Sequence, residues 1–521
     1  MAVGFVWRVW LAHATFFNAD EAWHYSVANQ NSFFEAYKAS HTLAHPPLLV
    51  LILYFWRQMG TSNLVLRLPS VIAGTLFCWV FYKWLTRILG RTVGWVGLIF
   101  VTFLPPLIAL SADLRQYTLL LLFSVSGAYF LERALAESSP RLILLSSGCL
   151  YLAMLSHYSA FLFAAALGAY CFLRFLTQRV PARVVAAWGA GQAGGLGLAW
   201  FLYSTHLAGL QAAYPQGQPL HRFGDFYIRE WYFHPGEDHL LPFLYHGTFG
   251  VFRFAFGNLH MGDFATVMFA AGVILLLSGE KKLVEAMPPT RLIGILLLLP
   301  FVVNWGVVWA GLYPYGRTRH CVFLAVSGIA GVSVLLAKIV GQRTIFAVVL
   351  AIGIVTLCHT FGTLQGRDML PLADQRHEHM ELAVEFLEAE VTPQELIFAD
   401  KVTSMQLGHY LCRQKPFSID RPVAGYESFQ CNGFRVVSTE LSDGPMIPDT
   451  FAGGWQAMAR SYGLKPGDEV WVVQAGWASG LGEILRSRFE EFAGLEPHAF
   501  GRYIDVFRLT VGKVPSAPEQ R

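Results

Sequence analysis

Residues 292–309 read LIGILLLLPFVVNWGVVW, and this stretch decides the class of the protein. It contains no charged side chain and is apolar on every side, whereas a helix on the surface of a soluble domain keeps a polar stripe. A helix needs about 20 such residues to cross the hydrocarbon core of a bilayer. The sequence therefore predicts that this segment crosses a membrane.

Similar apolar stretches recur along the chain of 521 residues, of which 54% are hydrophobic and 14% charged. Soluble domains carry about 25% charged residues, and the net charge of +3 is too mild to indicate a nucleic-acid partner. A hydropathy window predicts about eleven membrane helices. They are a short first helix that ends near Phe17, then Leu68–Leu85, Val93–Leu110, Tyr117–Leu131, Leu142–Leu155, Ala160–Phe175, Val184–Tyr203, Phe264–Leu277, Leu292–Trp309, Cys321–Leu336 and Thr344–Phe361.

Basic residues predict how these helices are oriented in the cell (inner or plasma) membrane. If the spans alternate, five basic turns lie on one side, which the positive-inside rule makes cytoplasmic. Those turns contain Lys83, Arg87 and Arg91; Arg133 and Arg141; Arg174, Arg179 and Arg183; Lys281, Lys282 and Arg291; Lys338 and Arg343. The opposite, extracytoplasmic side then receives a first loop (residues 18–67), a middle loop (206–262) and the C-terminal region.

We expect two domains, a membrane domain over residues 1–363 and a soluble extracytoplasmic α/β domain over 364–521. In the first loop, Pro47–Met59 is predicted to be a helix lying in the outer interface, because counting it as a span would invert every later basic turn. In the C-terminal region, Cys412 and Cys431 either form a disulfide or remain buried thiols. The predicted elements there are helices Asp374–Glu390 and Gly482–Phe492 and strands Leu396–Ala399, Phe434–Ser438, Glu469–Gln474 and Tyr503–Leu509.

Asp20 and Glu21 follow the first helix directly, and His24 and Tyr25 come next. Carboxylates at the end of a membrane helix are costly unless they face water, a partner or a substrate. The plain alternative is a pair of hydrated loop acids. We expect a functional role because further polar side chains gather at the same predicted outer helix ends. They are His45, Arg67, Asp113, Arg115, Tyr117, His157, Tyr158, Arg317, Arg319 and His320.

Arginines in these short outer turns run against the positive-inside rule. Arg115, Arg317 and Arg319 therefore indicate an anionic ligand such as a phosphate. The alternative is that they pair with the carboxylates of Asp20, Glu21 or Asp113.

The order of these motifs resembles the GT-C membrane glycosyltransferases of family 39, which include protein O-mannosyltransferases and lipid A aminoarabinose transferases. The resemblance is best from Phe17 to Ser70, where the acidic pair is followed by His45-Pro46-Pro47-Leu48 and then Arg67-Leu68-Pro69-Ser70. It implies transfer of a sugar, with inversion, from a polyprenyl-phosphate donor to a lipid, glycan or protein acceptor on the extracytoplasmic face. The aminoarabinose transferases have Glu-Lys before the Pro-Pro motif, where this chain has Ala44-His45.

The resemblance also implies roles for the residues. Asp20, with Glu21 beside it, corresponds to the family's catalytic acid, and a carboxylate there could serve as the base for an acceptor hydroxyl. The other polar residues named above are expected to bind substrate, because a phosphate leaving group needs cations placed where its charge develops. We assign no cofactor from the sequence. A divalent cation is an open alternative, but the ligand spacing does not support it, because such ions usually take about six or more oxygen ligands.

Two other functions fit a chain of this class. A secondary transporter would show internal repeats and polar residues near the middle of the bilayer, and neither is evident apart from Asn304. A non-catalytic assembly partner would leave the cluster of Asp20, His45 and Arg317 without a purpose.

Overall fold

The computed structural model describes residues 1–213, 228–279, 288–362, 376–393, 395–412, 419–423, 426–439, 455, 458–475, 485, 487, 492–501 and 503–512. The chain divides into two compact units. The first comprises Met1–Ala12, Tyr37–Ile52 and Leu66–Leu370, and the second His13–Ala36, Leu53–Val65 and Pro371–Arg521. The predicted boundary at residue 363 lies outside the described residues, as do Lys281 and Lys282.

Helices dominate the described chain up to residue 362. Their apolar sequences fit a bilayer, where a helix satisfies its own backbone hydrogen bonds. They are α1 (Ala2–Ala14), α2 (Ala19–Ala28), α3 (Phe33–Ser40), α4 (Leu48–Trp56), α5 (Asn63–Leu89), α6 (Arg91–Phe103), α7 (Pro105–Ala112), α8 (Tyr117–Glu137), α9 (Pro140–Ser156), α10 (Ser159–Thr177), α11 (Ala182–Leu202), α12 (Ala208–Ala213), α13 (Leu240–Phe256), α14 (Leu259–Ser278), α15 (Thr290–Trp309), α16 (Val322–Ile339) and α17 (Thr344–Thr360).

Six helices in the described chain are long and apolar enough to cross a membrane, or up to seven if the bent pair α6–α7 is one span. The multi-pass helical class predicted from the sequence is therefore confirmed, whereas the count of about eleven stays a prediction. The Pro47–Met59 segment is helical as α4 and a 3-10 turn, Arg57–Met59. It is too short to cross the bilayer core, and its place in the interface stays a prediction.

The bend of 56° between α6 and α7 comes from Pro105 and Pro106, which have no backbone N–H. The carbonyls of Val101 and Thr102 therefore lose the donors that a continuous helix would provide four residues later. Arg8 of α1 replaces both donors: its Nη2 lies 3.1 Å from the Val101 oxygen and its Nη1 lies 3.0 Å from the Thr102 oxygen. The buried charge that interrupts the first apolar stretch thus stabilises the broken helix.

The middle loop contains a helix that we did not predict, α13 (Leu240–Phe256), and α14 begins at Leu259 instead of Phe264. Arg253 interrupts the apolar run and lowers its mean hydropathy, so a hydropathy window does not detect this helix. Its charge is compensated in the structure, since Nε donates to Oδ1 of Asp263 at 2.6 Å.

The second unit contains the predicted α/β domain. Helices α18 (His377–Glu390) and α19 (Lys401–Leu411) accompany a seven-stranded mixed sheet of order β2-β3-β4-β1-β5-β7-β6. The central β1 pairs in parallel with β4 and β5, and the other described pairs are antiparallel. The strands are β1 (Leu396–Ala399), β2 (Asp420–Val423), β3 (Tyr426–Cys431), β4 (Phe434–Thr439), β5 (Glu469–Ala475), β6 (Phe492–Ala499) and β7 (Ile504–Val511).

Three strands, β2, β3 and β6, were missed. The predicted helix Gly482–Phe492 lies almost entirely outside the described residues, and Phe492 begins β6 instead. Cys412 and Cys431 form a disulfide that joins the end of α19 to β3. Sequence left this bond open because it does not show how close the two thiols lie.

Candidate active site

Asp20 lies in the first turn of α2, within the second unit. Asn18 caps this helix: its Oδ1 accepts the N–H of Glu21 at 3.1 Å, and Oε2 of Glu21 accepts the N–H of Asn18 at 2.9 Å. Such a reciprocal capping box satisfies two donors that a helix start leaves open. The cap therefore fixes the backbone on both sides of Asp20.

The two adjacent acids have different surroundings. Glu21 is fully buried and occupied by the capping box, whereas the side chain of Asp20 is partly exposed. His24 donates from Nδ1 to the backbone oxygen of Asp20 at 2.7 Å. Burial raises the pKa of nearby Tyr25 to about 12, so its hydroxyl stays protonated. Asp20 is thus the more exposed acid of the pair, and both catalytic assignments stay predictions.

A second group of predicted site residues meets in the first unit, and we call it the imidazole cluster: His45, Tyr117, His157 and His320. The ring of His157 lies 5.2 Å from His45, 5.3 Å from Tyr117 and 5.8 Å from His320, centroid to centroid. The rings of His45 and His320 are 6.1 Å apart. Four side chains from distant parts of the sequence therefore surround one point.

Each member of the cluster sits at or near a helix end. His45 precedes α4, Tyr117 begins α8, His157 ends α9, and His320 lies in the 3-10 turn before α16. Ser70 secures the turn before α8, because its hydroxyl donates to the backbone oxygen of Arg115 at 3.1 Å. Helix ends are where a membrane protein can offer polar groups without leaving them in hydrocarbon.

Two guanidinium groups make this cluster cationic. The Cζ atoms of Arg115 and Arg319 lie 5.7 Å and 5.8 Å from the centroid of the Tyr117 ring. Nη2 of Arg115 also donates to Nε2 of His45 at 3.4 Å. Arginine keeps its charge at any physiological pH, so the cluster is suited to an anion whatever the state of its histidines.

His157 has a fixed tautomer. Its Nδ1 accepts the backbone N–H of Ser159 at 3.1 Å, so the proton of the neutral ring must be on Nε2. Burial, with Arg115 and Arg319 nearby, lowers the pKa of His157 to about 3. The ring therefore remains neutral at physiological pH and offers one N–H donor. Sequence analysis missed Ser159, although its spacing of two residues from His157 is the signal of this local contact.

The remaining predicted residues have other contacts. Arg67 is buried and donates from Nη1 to the backbone oxygen of Ala12 at 2.8 Å, which ties α5 to α1. Asp113 ends α7, and its backbone oxygen accepts the N–H of Arg115 at 2.8 Å. Tyr158 bonds through its hydroxyl to Nδ1 of His206 at 2.8 Å, a residue that sequence analysis did not single out.

Arg317 lies in the same turn as Arg319 and His320, but no contact of its side chain with the imidazole cluster is seen among the described residues. The backbone of Arg317 lies close against α13. A Cβ on Gly250 would come within 2.8 Å of the Arg317 nitrogen. This close approach explains why α13 carries glycine there. Across the described part of the chain, no group of three or more His, Cys, Asp or Glu side chains is arranged to hold a metal ion.

The chain is similar to known proteins in one segment of its sequence and in its fold. Residues 44–202 match the family model of dolichyl-phosphate-mannose-protein mannosyltransferases. The fold is similar to that of ArnT from Cupriavidus metallidurans bound to undecaprenyl phosphate, with a TM-score of 0.51 and 13% identity over 99% of this chain and 98% of that one. No curated protein matches the chain significantly by sequence.

An archaeal oligosaccharyltransferase, AglB from Archaeoglobus fulgidus in complex with an inhibitory peptide and a dolichol-phosphate, aligns with a TM-score of 0.48 and 11% identity, over 100% of this chain and 74% of that one. The matched family segment contains His45, Arg67, Arg115, Tyr117 and His157. Together with the shared fold, it makes the chain similar to membrane glycosyltransferases of the GT-C type, and residues 44–202 resemble the mannosyltransferase family.

Proposed function

We propose that the chain transfers a sugar from a polyprenyl-phosphate carrier to a lipid, glycan or protein acceptor on the extracytoplasmic face of the cell membrane. The observation that carries this proposal is the imidazole cluster with Arg115 and Arg319, a cationic group at the ends of membrane helices. A donor with a phosphate head and a lipid tail has the matching chemistry. The undecaprenyl phosphate bound to the similar ArnT supports the same carrier class.

The cationic cluster would act on the leaving group. As the bond between the anomeric carbon and the phosphate oxygen breaks, negative charge grows on that oxygen, and fixed cations stabilise it. Arg115 and Arg319 supply two charges, and the neutral His157 adds an N–H donor. The polyprenyl phosphate then departs with the bonding electron pair.

Asp20 would act on the acceptor. Its carboxylate takes the proton from the acceptor hydroxyl while the oxygen of that hydroxyl forms the new bond to the anomeric carbon. Attack from the face opposite the leaving phosphate inverts the configuration at this carbon. Glu21 is engaged in the capping box of α2. It would position Asp20, and Asp20 would take the proton.

Two observations support placing the site outside the cytoplasm. The basic turns predicted from the sequence follow the positive-inside rule, and the second unit contains the disulfide Cys412–Cys431. Disulfides persist in oxidising compartments and are rare in the cytosol. The proposed domains are accordingly a membrane catalytic domain over residues 1–363 and an extracytoplasmic domain over 364–521. A transporter or an assembly partner is not favoured, because the matched family consists of transferases.

Binding of the spent carrier tests the donor assignment. We expect the purified protein in nanodiscs to bind undecaprenyl phosphate at least about tenfold more tightly than undecaprenol, because hydrogen bonds to a charged group contribute about 1.5–3 kcal/mol each. Arg115→Met/Arg319→Met should abolish this preference, while Arg229→Met, which removes an exposed arginine, should keep it. Equal binding of both lipids by the unmodified protein, measured by native mass spectrometry, would refute the assignment.

A further inference from the structure

The segment that bears Asp20 is held by helix α19 of the C-terminal α/β domain, and all the contacts lie within the second unit. Phe17, three residues before Asp20, is the main point of attachment. Its backbone N–H donates to the hydroxyl oxygen of Tyr410 at 2.8 Å, and its backbone oxygen accepts from Nε2 of Gln406 at 2.7 Å. Both polar groups of one peptide residue are therefore bonded to side chains of a single helix.

A third residue of α19 holds the same segment through its ring. His409 is buried and stacks on Phe17, with ring centroids 4.4 Å apart and an angle of 19° between the planes. Its other contact in the segment is with Tyr25 of α2, edge-on at 5.1 Å. Phe17 precedes Asp20 in the sequence and Tyr25 follows it. Helix α19 therefore contacts the chain both before and after the proposed base.

Asn63 makes the attachment rigid. Its Nδ2 donates to the hydroxyl oxygen of Tyr410 at 2.9 Å, and its Oδ1 accepts from Nε2 of His409 at 3.1 Å. Asn63 begins α5, so two side chains of α19 are fixed to each other through a residue from outside the C-terminal domain. Tyr410 and Asn63 each bond to two partners, and a buried network of this kind is more rigid than isolated bonds.

We infer that Gln406, His409 and Tyr410 are positioning residues, through which the C-terminal domain sets the position of the Asp20 carboxylate. The inference rests on the proposed role of Asp20 as the base. It gives the C-terminal domain an influence on the reaction rate through Asp20, because displacing a reacting group by about 1 Å can cost roughly 100-fold in rate. None of the three residues needs to touch the substrate for this effect.

The first test measures the backbone of the purified full chain and needs no substrate. In Tyr410→Phe/Gln406→Met, the amides of residues 16–21 should exchange with deuterium at least about tenfold faster, since Phe17 loses both bonded partners. Exchange in β5 (Glu469–Ala475) should not change. Tyr462→Phe is the matched control, because it removes a buried hydroxyl from the same domain but away from α19. Unchanged exchange over residues 16–21 would refute the attachment.

The second test measures the reaction. Membranes from cells that lack the chain supply both the accumulated polyprenyl-phosphate sugar and its acceptor, and purified protein is added to them. Tyr410→Phe/Gln406→Met should consume the sugar carrier about 10- to 100-fold more slowly than the unmodified protein, whereas its binding of undecaprenyl phosphate should stay within about threefold. Tyr462→Phe should react at the unmodified rate.

Combination with Asp20→Asn separates positioning from general damage. If the α19 residues act through Asp20, adding their substitutions to Asp20→Asn should cost no further activity. An additional loss of tenfold or more would mean that they act elsewhere. If Tyr410→Phe/Gln406→Met reacts at the unmodified rate, the positioning role is refuted, while the proposed function still stands. If the unmodified protein consumes no polyprenyl-phosphate sugar, the proposed function fails, and the inference fails with it.

Discussion

His157 shows what a single side chain contributes to the imidazole cluster. Its Nδ1 is occupied by the backbone of Ser159, and burial lowers its pKa to about 3, so it offers one N–H and no charge. A neutral donor beside Arg115 and Arg319 avoids repulsion between cations while still bonding to a phosphate oxygen. The cluster therefore combines two permanent charges with one directional donor.

The position of this donor can be tested by comparing two amides. The side-chain nitrogen of glutamine can reach the place of Nε2, whereas the shorter asparagine reaches only the place of Nδ1. We expect His157→Gln to keep undecaprenyl phosphate binding within about threefold and His157→Asn to weaken it roughly 10- to 150-fold, the loss of one bond to a charged group. Equal weakening in both variants would show that the ring packs without donating.

Since the ring stays neutral, its contribution should not titrate between about pH 5 and 8. Because the pKa of His157 is lowered to about 3, the ring takes up a proton only below this pH range. Its contribution to undecaprenyl phosphate binding should therefore be the same at about pH 5 and at about pH 8.

The sequence could reveal the residue types of the site but only part of their roles. Asp20 and Glu21 look alike as neighbouring acids, and the capping box that buries Glu21 becomes visible only with the helix start at Ala19. Arg67 was predicted to bind substrate from its motif, and its Nη1 donates to the backbone oxygen of Ala12, a contact that the motif does not show; the predicted role stays a prediction. Such assignments depend on distances across the fold, which spacing along the chain does not contain.

Among the elements, the broken pair α6–α7 has the clearest physical cause. Two consecutive prolines leave two carbonyls without donors, and Arg8 supplies both. Hydropathy predicted one continuous span, Val93–Leu110, because Pro105 and Pro106 do not lower the apolar character of the run. In the same way, α13 was missed because Arg253 lowers the hydropathy of a helix whose charge is paired with Asp263.

Replacing Arg8 should destabilise the protein through these carbonyls. Arg8→Met leaves the Thr102 oxygen without this donor and the Val101 oxygen with only the weak thiol donor of Cys78. An unsatisfied buried acceptor costs about 1–3 kcal/mol, so the substitution should lower the melting temperature of the detergent-solubilised protein by several degrees. Arg91→Met, which removes an exposed arginine at the start of α6, should have little effect. Adding Pro105→Ala and Pro106→Ala to Arg8→Met should restore stability, because the two new N–H groups can bond to Val101 and Thr102. No difference between Arg8→Met and the unmodified protein would contradict the account of the break.

At the scale of the whole molecule, the chain combines an apolar helical unit with a unit built around a mixed sheet. The sequence was sufficient to predict both kinds of structure, since composition and periodicity carry that information. It could not show that His13–Ala36 and Leu53–Val65 group with the sheet, because these segments lie more than 300 residues from it in the chain. Phe17 of the first segment and Asn63 of the second both bond to side chains of α19.

Topology can be tested at the same scale. A reporter that is active only outside the cytoplasm, fused after Arg521, should be active. The five basic turns and the disulfide both favour an extracytoplasmic C-terminus. The matched fusion within the basic turn Ser138–Ser139, between α8 and α9, should be inactive. Activity of only a cytoplasmic reporter at the C-terminus would reverse the orientation and with it the proposed side of the reaction.

In the proposed reaction the chain consumes a polyprenyl-phosphate sugar, with Asp20 as the base. It is tested most directly by mass spectrometry of lipid carriers in deletion cells that express the unmodified chain, Asp20→Asn or Glu21→Gln at equal protein levels. Loss of a general base costs roughly 10²–10⁴-fold in rate. We therefore expect one polyprenyl-phosphate sugar to accumulate in the deletion cells and with Asp20→Asn, and to be cleared by the unmodified chain and largely by Glu21→Gln. If no such carrier accumulates in the deletion cells, or if Asp20→Asn clears it as fast as the unmodified chain, the claim is contradicted.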